Sequence, residues 1–195
     1  MANKRTVALT KEEYKKCIDV LRKGFELNGV EYEPNERIAT IEVLQATLGL
    51  RLGDILKLTL DSIIRDGERY RLDIREEKTG KLRTFTVPTE IYAFIQNYAI
   101  EKGIGKNKKL FPITERQVTR HLRHLFESLE MNVEKYGSHS FRKMFATQVY
   151  IENDYNIELV RILLQHSSIA TTQKYISMGT KQIENVLAST SKNLI

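Results

Sequence analysis

The sequence predicts an α+β domain that is mainly α, with a small three-stranded antiparallel sheet set into its first half. Three observations carry this. Apolar residues recur at helical spacing from Tyr14 onward and again from Ile91, whereas between Ile63 and Val87 the period falls to two. Two turn signals, Asp66-Gly67 and Lys78-Thr79-Gly80-Lys81, divide that stretch into three runs, and Pro88 closes it. The length of 195 residues, 41% of them hydrophobic, suits one domain around one core.

Taken in order, the first helix opens on Thr10-Lys-Glu-Glu13, a capping box, and carries Tyr14, Cys17, Ile18, Leu21 and Phe25. A second helix is expected to open at Pro34 and to run through Ile38, Ile41, Leu44 and Leu48 to a stop at Gly49. A short third helix follows from about Gly53 with Ile55, Leu56 and Leu58. The strands are Ile63 to Arg65, Arg69 to Ile74 and Leu82 to Val87. Thr89 then caps a helix with Ile91, Phe94, Ile95 and Tyr98, and Thr114 with Gln117 forms a second capping box for a helix through Leu129. Later helices begin near Ser138, Asn156 and Ser168, and residues 179–188 form a short amphipathic tail helix. The sequence shows no internal repeat, low-complexity tract or linker.

Composition narrows the function classes. No run approaches the roughly 18 apolar residues of a membrane span, and Met-Ala-Asn-Lys-Arg-Thr lacks the apolar core of a secretory signal. A cytoplasmic protein is expected, with no membrane partner. The single Cys17 cannot form an internal disulfide, which fits a reducing compartment. Lys plus Arg exceed Asp plus Glu by 31 to 25, for a net charge of +6. That excess is concentrated. Between Lys102 and His124 stand Lys102, Lys106, Lys108, Lys109, Arg116, Arg120 and Arg123 against the one acid Glu115, a segment suited to a phosphate backbone. Base contacts are expected from the helix face between Gln117 and His124, where Arg120 and Arg123 can reach guanine edges.

Several polar residues sit where chemistry can be done, although each has an ordinary structural reading. His139 and Arg142 are three apart on a predicted helix and share a face, so they converge on an anion or simply pack as a pair. His166 ends an apolar helix, a place where a capping histidine is common. Arg51 lies in the junction Gly49-Leu50-Arg51-Leu52-Gly53-Asp54, and Asp54 is its natural partner. Lys78 lies at a hairpin tip, where lysines are usually just solvated. Tyr175 is one of nine tyrosines.

Their order along the chain is more specific than any one of them. Gly49-Leu50-Arg51 followed by Asp54, Lys78-Thr79-Gly80 in a hairpin, Leu110-Phe111-Pro112, His139-Ser-Phe-Arg142, Leu164-Gln165-His166 and Thr171-Thr172-Gln173-Lys174-Tyr175 together resemble the tyrosine recombinase, or phage integrase, family. The resemblance covers about residues 6–188. One departure stands out: the family's pattern has Gly before the second histidine, where this chain has Gln165.

The resemblance implies the DNA breaking and rejoining fold and a catalytic set of Arg51, Lys78, His139, Arg142, His166 and Tyr175. In this reading Tyr175 is the nucleophile that forms a covalent 3′-phosphotyrosyl intermediate. Arg51 and Arg142 clamp the non-bridging oxygens, His139 takes the phenolic proton, Lys78 protonates the leaving 5′ oxygen, and His166 hydrogen-bonds the phosphate. Asp54 orients Arg51. The chemistry is coherent, because permanently charged guanidinium forks stabilise a phosphoryl transition state without a metal or other cofactor. DNA contacts are expected from Lys106, Lys108, Lys109, Arg116, Arg120 and Arg123. The partner is double-stranded DNA, bound as a tetramer, the free protein being a monomer.

The expected role is integration and excision of a mobile element. Residues 1–195 are read as the catalytic domain, with the N-terminal DNA-gripping domain of the family absent and the tail helix docking in cis or on a neighbouring protomer. Competing readings are a type IB-like topoisomerase, a non-catalytic DNA-binding module of the same fold, and a plain structural domain.

Overall fold

The structure is a computed structural model and describes residues 6–176 apart from 77, 79 and 81. Chain order is α1 (Lys11–Lys23), β1 (Phe25–Leu27), β2 (Val30–Tyr32), α2 (Glu36–Leu48), α3 (Leu52–Ile55), a 3-10 turn (Leu60–Ser62), β3 (Ile63–Asp66), β4 (Arg69–Arg75), β5 (Leu82–Val87), α4 (Thr89–Glu101), α5 (Glu115–Ser128), α6 (Ser138–Glu152), α7 (Ile157–Leu164) and α8 (Ile169–Gln173). The predicted mainly helical α+β class holds. The tail helix expected at 179–188 lies outside the described residues.

Local chemistry sets most of the boundaries. Both capping boxes form: the Glu13 amide donates to Thr10 Oγ1 at 3.1 Å while the Glu13 carboxylate receives the Thr10 amide at 2.7 Å, and Thr114 with Gln117 repeats the arrangement. Three expected helix starts shift. Asn35, not Pro34, opens α2, because its Oδ1 accepts from the Ile38 amide at 3.1 Å. Pro88 rather than Thr89 is the cap of α4, and α3 begins at Leu52, one residue before Gly53. It also ends at Ile55, so Leu56 and Leu58 are buried beyond it rather than on it.

One assignment is corrected outright. Phe25 does not continue α1 but starts a two-stranded hairpin with β2, turning at Asn28 (φ 52°) and Gly29 (φ 76°). Two successive left-handed residues make the turn that matches strand twist, and the Asn-Gly pair is its sequence signature. The Phe25 ring stacks on Tyr32, which keeps it off the helix.

The larger sheet has the expected antiparallel order β3-β4-β5, with Ile63 opposite Leu72 and Leu72 opposite Phe85. Its buried side packs through β4 on α4. At the centre of the molecule lies α2, packed against α1, α4 and α6, with Ile38, Ile41, Leu44 and Leu48 all buried. Glu42 is buried among them, and burial raises its carboxyl well above the usual range.

Gly49 ends α2 at φ 58°, and a Cβ there would lie 2.3 Å from the Phe145 ring. Only glycine meets both demands, and the sharp turn it makes delivers Arg51 to the head of α3.

Candidate active site

The residues singled out for chemistry come from five separate elements. Arg51 caps α3, half-buried, with its guanidinium ion-paired to Glu76 and with Asp54 Oδ2 3.9 Å away. Glu76 is 1% exposed, just past the end of β4, so the closer partner of Arg51 is a residue the sequence reading did not name. Two residues on is Lys78, exposed at the turn between β4 and β5.

From α6 come His139 and Arg142, one turn apart as the spacing predicts. Arg142 is fully buried. It donates to the Gly49 carbonyl and, at 3.1 Å, to the Leu164 carbonyl, which joins the end of α2 to the end of α7. A buried guanidinium held by carbonyls at defined angles keeps its charge and cannot swing.

Beyond α7 the chain turns through Gln165, a left-handed residue at φ 53° and ψ 39°, and this explains a preference for glycine at the position. The turn drops His166 into a buried site, where Nδ1 meets Thr172 Oγ1 at 3.1 Å and the backbone carbonyl receives Arg161 Nη1 at 3.0 Å. After α8, Tyr175 folds back onto α6.

The cluster closes on the Tyr175 hydroxyl. His139 Nε2 lies 2.6 Å from Tyr175 Oη, the His166 ring centre is 4.5 Å from the tyrosine ring centre, and the Arg142 Cζ is 5.8 Å from it. Lys143 Nζ is also 5.8 Å from that ring while donating to the Thr6 carbonyl, a second neighbour that the sequence reading missed. Burial pushes the His139 imidazole down to about 4, helped by Arg142, Lys143, Arg51 and Lys78. At neutral pH it is therefore uncharged, and in the tautomer protonated on Nδ1 the nitrogen that faces the hydroxyl is an acceptor.

The six basic residues expected on DNA lie elsewhere. Lys106, Lys108 and Lys109 are exposed on the loop after α4, and Arg116, Arg120 and Arg123 are exposed on α5. Lys106 pairs with Asp61 at 3.5 Å and Arg123 with Glu127 at 3.0 Å. Among the described residues no group of His, Cys, Asp or Glu is placed to hold a metal ion, and no helix is long and apolar enough to cross a membrane.

The chain is 29% identical to the tyrosine recombinase XerA of Pyrococcus furiosus over 96% of its own length, and 27% identical to XerH of Campylobacter jejuni over 95%. It spans 64% and 52% of the lengths of those two proteins. A crystal structure of XerA recombinase superposes with a TM-score of 0.68 at 22% identity, covering 94% of this chain and 63% of that one. A pre-cleavage complex of XerH with its difH substrate superposes at 0.67 and 21% identity, covering 96% and 55%. These likenesses show a shared fold. The sequence model of the phage integrase family matches residues 7–181, and the chain belongs to that family, the tyrosine recombinases.

Proposed function

We propose that this chain cleaves and rejoins DNA strands at specific sites through a covalent 3′-phosphotyrosyl intermediate, without a metal ion. The observation that carries the reading is the 2.6 Å approach of the Tyr175 hydroxyl to a neutral His139, inside a ring of cations from Arg142, Lys143, Arg51 and Lys78. In the forward step Tyr175 Oη bonds to phosphorus and the bond from phosphorus to the 5′ oxygen breaks. The phenolic proton passes to His139 Nε2, and Lys78 gives a proton to the departing oxygen. Arg51 and Arg142 stabilise charge on the non-bridging oxygens, His166 hydrogen-bonds the phosphate, and Asp54 with Glu76 aims Arg51. Because the phosphodiester energy is kept in the tyrosyl ester, a 5′ hydroxyl from another strand reverses the step and seals the new junction.

The exposed Lys106, Lys108, Lys109 and Arg116 are read as backbone contacts to double-stranded DNA and Arg120 and Arg123 as contacts to its base edges, the active assembly as a tetramer on that DNA, and the biological role as integration and excision of a mobile element. Structural neighbours include lambda integrase bound to a core site and the Tn1549 transposon integrase bound to circular-intermediate DNA, which supports that role.

The test uses a pool of nicked duplexes of randomised sequence, incubated with the protein in EDTA and resolved on a denaturing gel. A protein-DNA adduct is expected from wild type and none from Tyr175→Phe. An adduct that persists in Tyr175→Phe removes the nucleophile assignment. Binding of the pool with no adduct from wild type assigns the chain instead to a non-catalytic DNA-binding role.

A further inference from the structure

We infer that Gln165 is a positioning residue: it ties the β4–β5 hairpin to the loop bearing His166 and thereby fixes where the Lys78 ammonium can lie. This rests on the role proposed above for Lys78.

The backbone of Gln165 is left-handed, a conformation that strains most residues with a Cβ, Asn being among those that tolerate it, and that glycine adopts without steric cost. Strain of that kind persists where the surroundings hold it in place. Here the side chain supplies a reason: its Nε2 donates to the carbonyl of Leu82, the first residue of β5, at 3.1 Å. No glycine at this position can make that bond.

The contact matters because of what the hairpin carries. On its β4 side the hairpin is fixed by Glu76, buried and ion-paired with Arg51. The turn is closed by the Gly80 amide on the Glu76 carbonyl at 2.9 Å and by Arg75 on the Gly80 carbonyl at 2.6 Å. On its β5 side Leu82 pairs with Arg75 in the β4–β5 ladder but is 54% exposed, so packing does little to hold this end against the rest of the molecule, and the bond from Gln165 ties it there. Lys78 lies between these two anchors, two residues after one and four before the other. With both held, the volume that its flexible stem can sweep is restricted. With Gln165 gone, the tip of the paired hairpin loses its tie to the His166 loop, and the ammonium is displaced from the leaving oxygen.

Gln165→Gly and Gln165→Asn test this, since both residues accept the left-handed turn and neither reaches Leu82. Two readouts are used. The first is amide hydrogen exchange of the free protein, where the hairpin from residue 76 to Val87 is expected to exchange severalfold faster in both variants while α2 is unchanged. Their melting temperatures should stay at or above wild type, because strain is relieved. The second is single-turnover adduct formation on duplexes captured by the wild-type protein, with either oxygen or sulfur as the 5′ leaving atom. Both variants should cleave the oxygen linkage roughly ten- to a hundredfold more slowly, as a misplaced general acid requires. The sulfur linkage, whose thiolate departs without a proton, should be cleaved at the wild-type rate.

Equal slowing on oxygen and sulfur, or hairpin exchange identical to wild type, overturns the inference. If wild type forms no adduct at all, the proposed function falls, and hairpin exchange alone decides whether the tether exists.

Discussion

The residues that would hold the phosphate and the residue that would attack it stand on unequal foundations. Arg51, at the head of α3, sits between Leu50 and Leu52 of a core whose buried members range from Leu9 to Met144 and include Ile38, Ala39, Ile41, Leu44 and Leu48 of α2. Tyr175 packs instead on a separate cluster whose fully buried apolar members are Ala146, Val160 and Leu164. A cluster so small gives α7 and α8 little hydrophobic stabilisation of their own, and segments of that kind open at low free energy while the main core stays folded. The contrast teaches a division of labour within the proposed site: the clamp assigned to Arg51 is built into the main core, and the nucleophile assigned to Tyr175 is carried by a segment that can be moved at modest cost. Helix α6 spans both, contributing Phe141 and Met144 to one cluster and Ala146 to the other.

Arg142 joins the two regions, since one arm of its guanidinium holds Gly49 of the main core and the other holds Leu164 of the small cluster. Replacing it is the largest single perturbation available. Arg142→Met leaves two buried carbonyls without that donor, which costs about 3 kcal/mol, and it removes a transition-state cation worth roughly a hundred- to a thousandfold in rate. Urea denaturation and adduct formation measure the two losses. Full stability in Arg142→Met would mean that the two regions are held together by something else.

Cavities separate the regions more finely. Leu44→Ala and Leu164→Ala both remove a fully buried side chain, and each should cost about 2–5 kcal/mol at its own site. The consequences differ. Leu44→Ala lowers the global unfolding midpoint, whereas Leu164→Ala is expected to release α7 and α8 to proteolysis and amide exchange with little change in α1 to α5. If Leu164→Ala instead lowers the protection of α2 as much as that of α7, the molecule is one cooperative unit and the proposed division fails.

How much of this was legible in the sequence follows the range of the interactions. Caps, the Asp66-Gly67 turn and the stop at Pro88 are local, and their residue types specify them within a few positions. The first hairpin was hidden because Phe25 stands where a longer α1 would place an apolar residue, although Asn28-Gly29 announced the turn. In the site, Arg51, Lys78, His139, Arg142, His166 and Tyr175 were picked out by their order, and the structure brings His139, Arg142, His166 and Tyr175 together. Glu76 and Lys143 were missed for a physical reason. An ion pair across 25 residues, or a lysine that reaches back to Thr6, leaves no periodic trace in the chain. The left-handed turn at Gln165 was signalled only by the departure from glycine.

The smallest expected effect concerns His139, which lies on α6 between the two regions. Burial first, and then the charges of Arg142, Lys143, Arg51 and Lys78, hold its imidazole at about 4 against an ordinary value of 6.5. Above pH 6.5 the group is neutral in folded and unfolded chains alike and contributes no pH dependence. As the pH falls from 6.5 toward 4 the unfolded chain takes up a proton that the folded chain refuses, so stability declines across that window. The decline should be shallower in His139→Gln, which isolates this histidine from others such as His121. Adduct formation should hold its rate from pH 7.5 down to about 5.5, since the acceptor on Nε2 stays unprotonated there. In Leu164→Ala, where the small cluster opens and water reaches the ring, the acid limb should move up toward 6.5. A wild-type limb already centred at 6.5 would mean that His139 is charged at the working site, and the Tyr175 proton would then have to leave by another route.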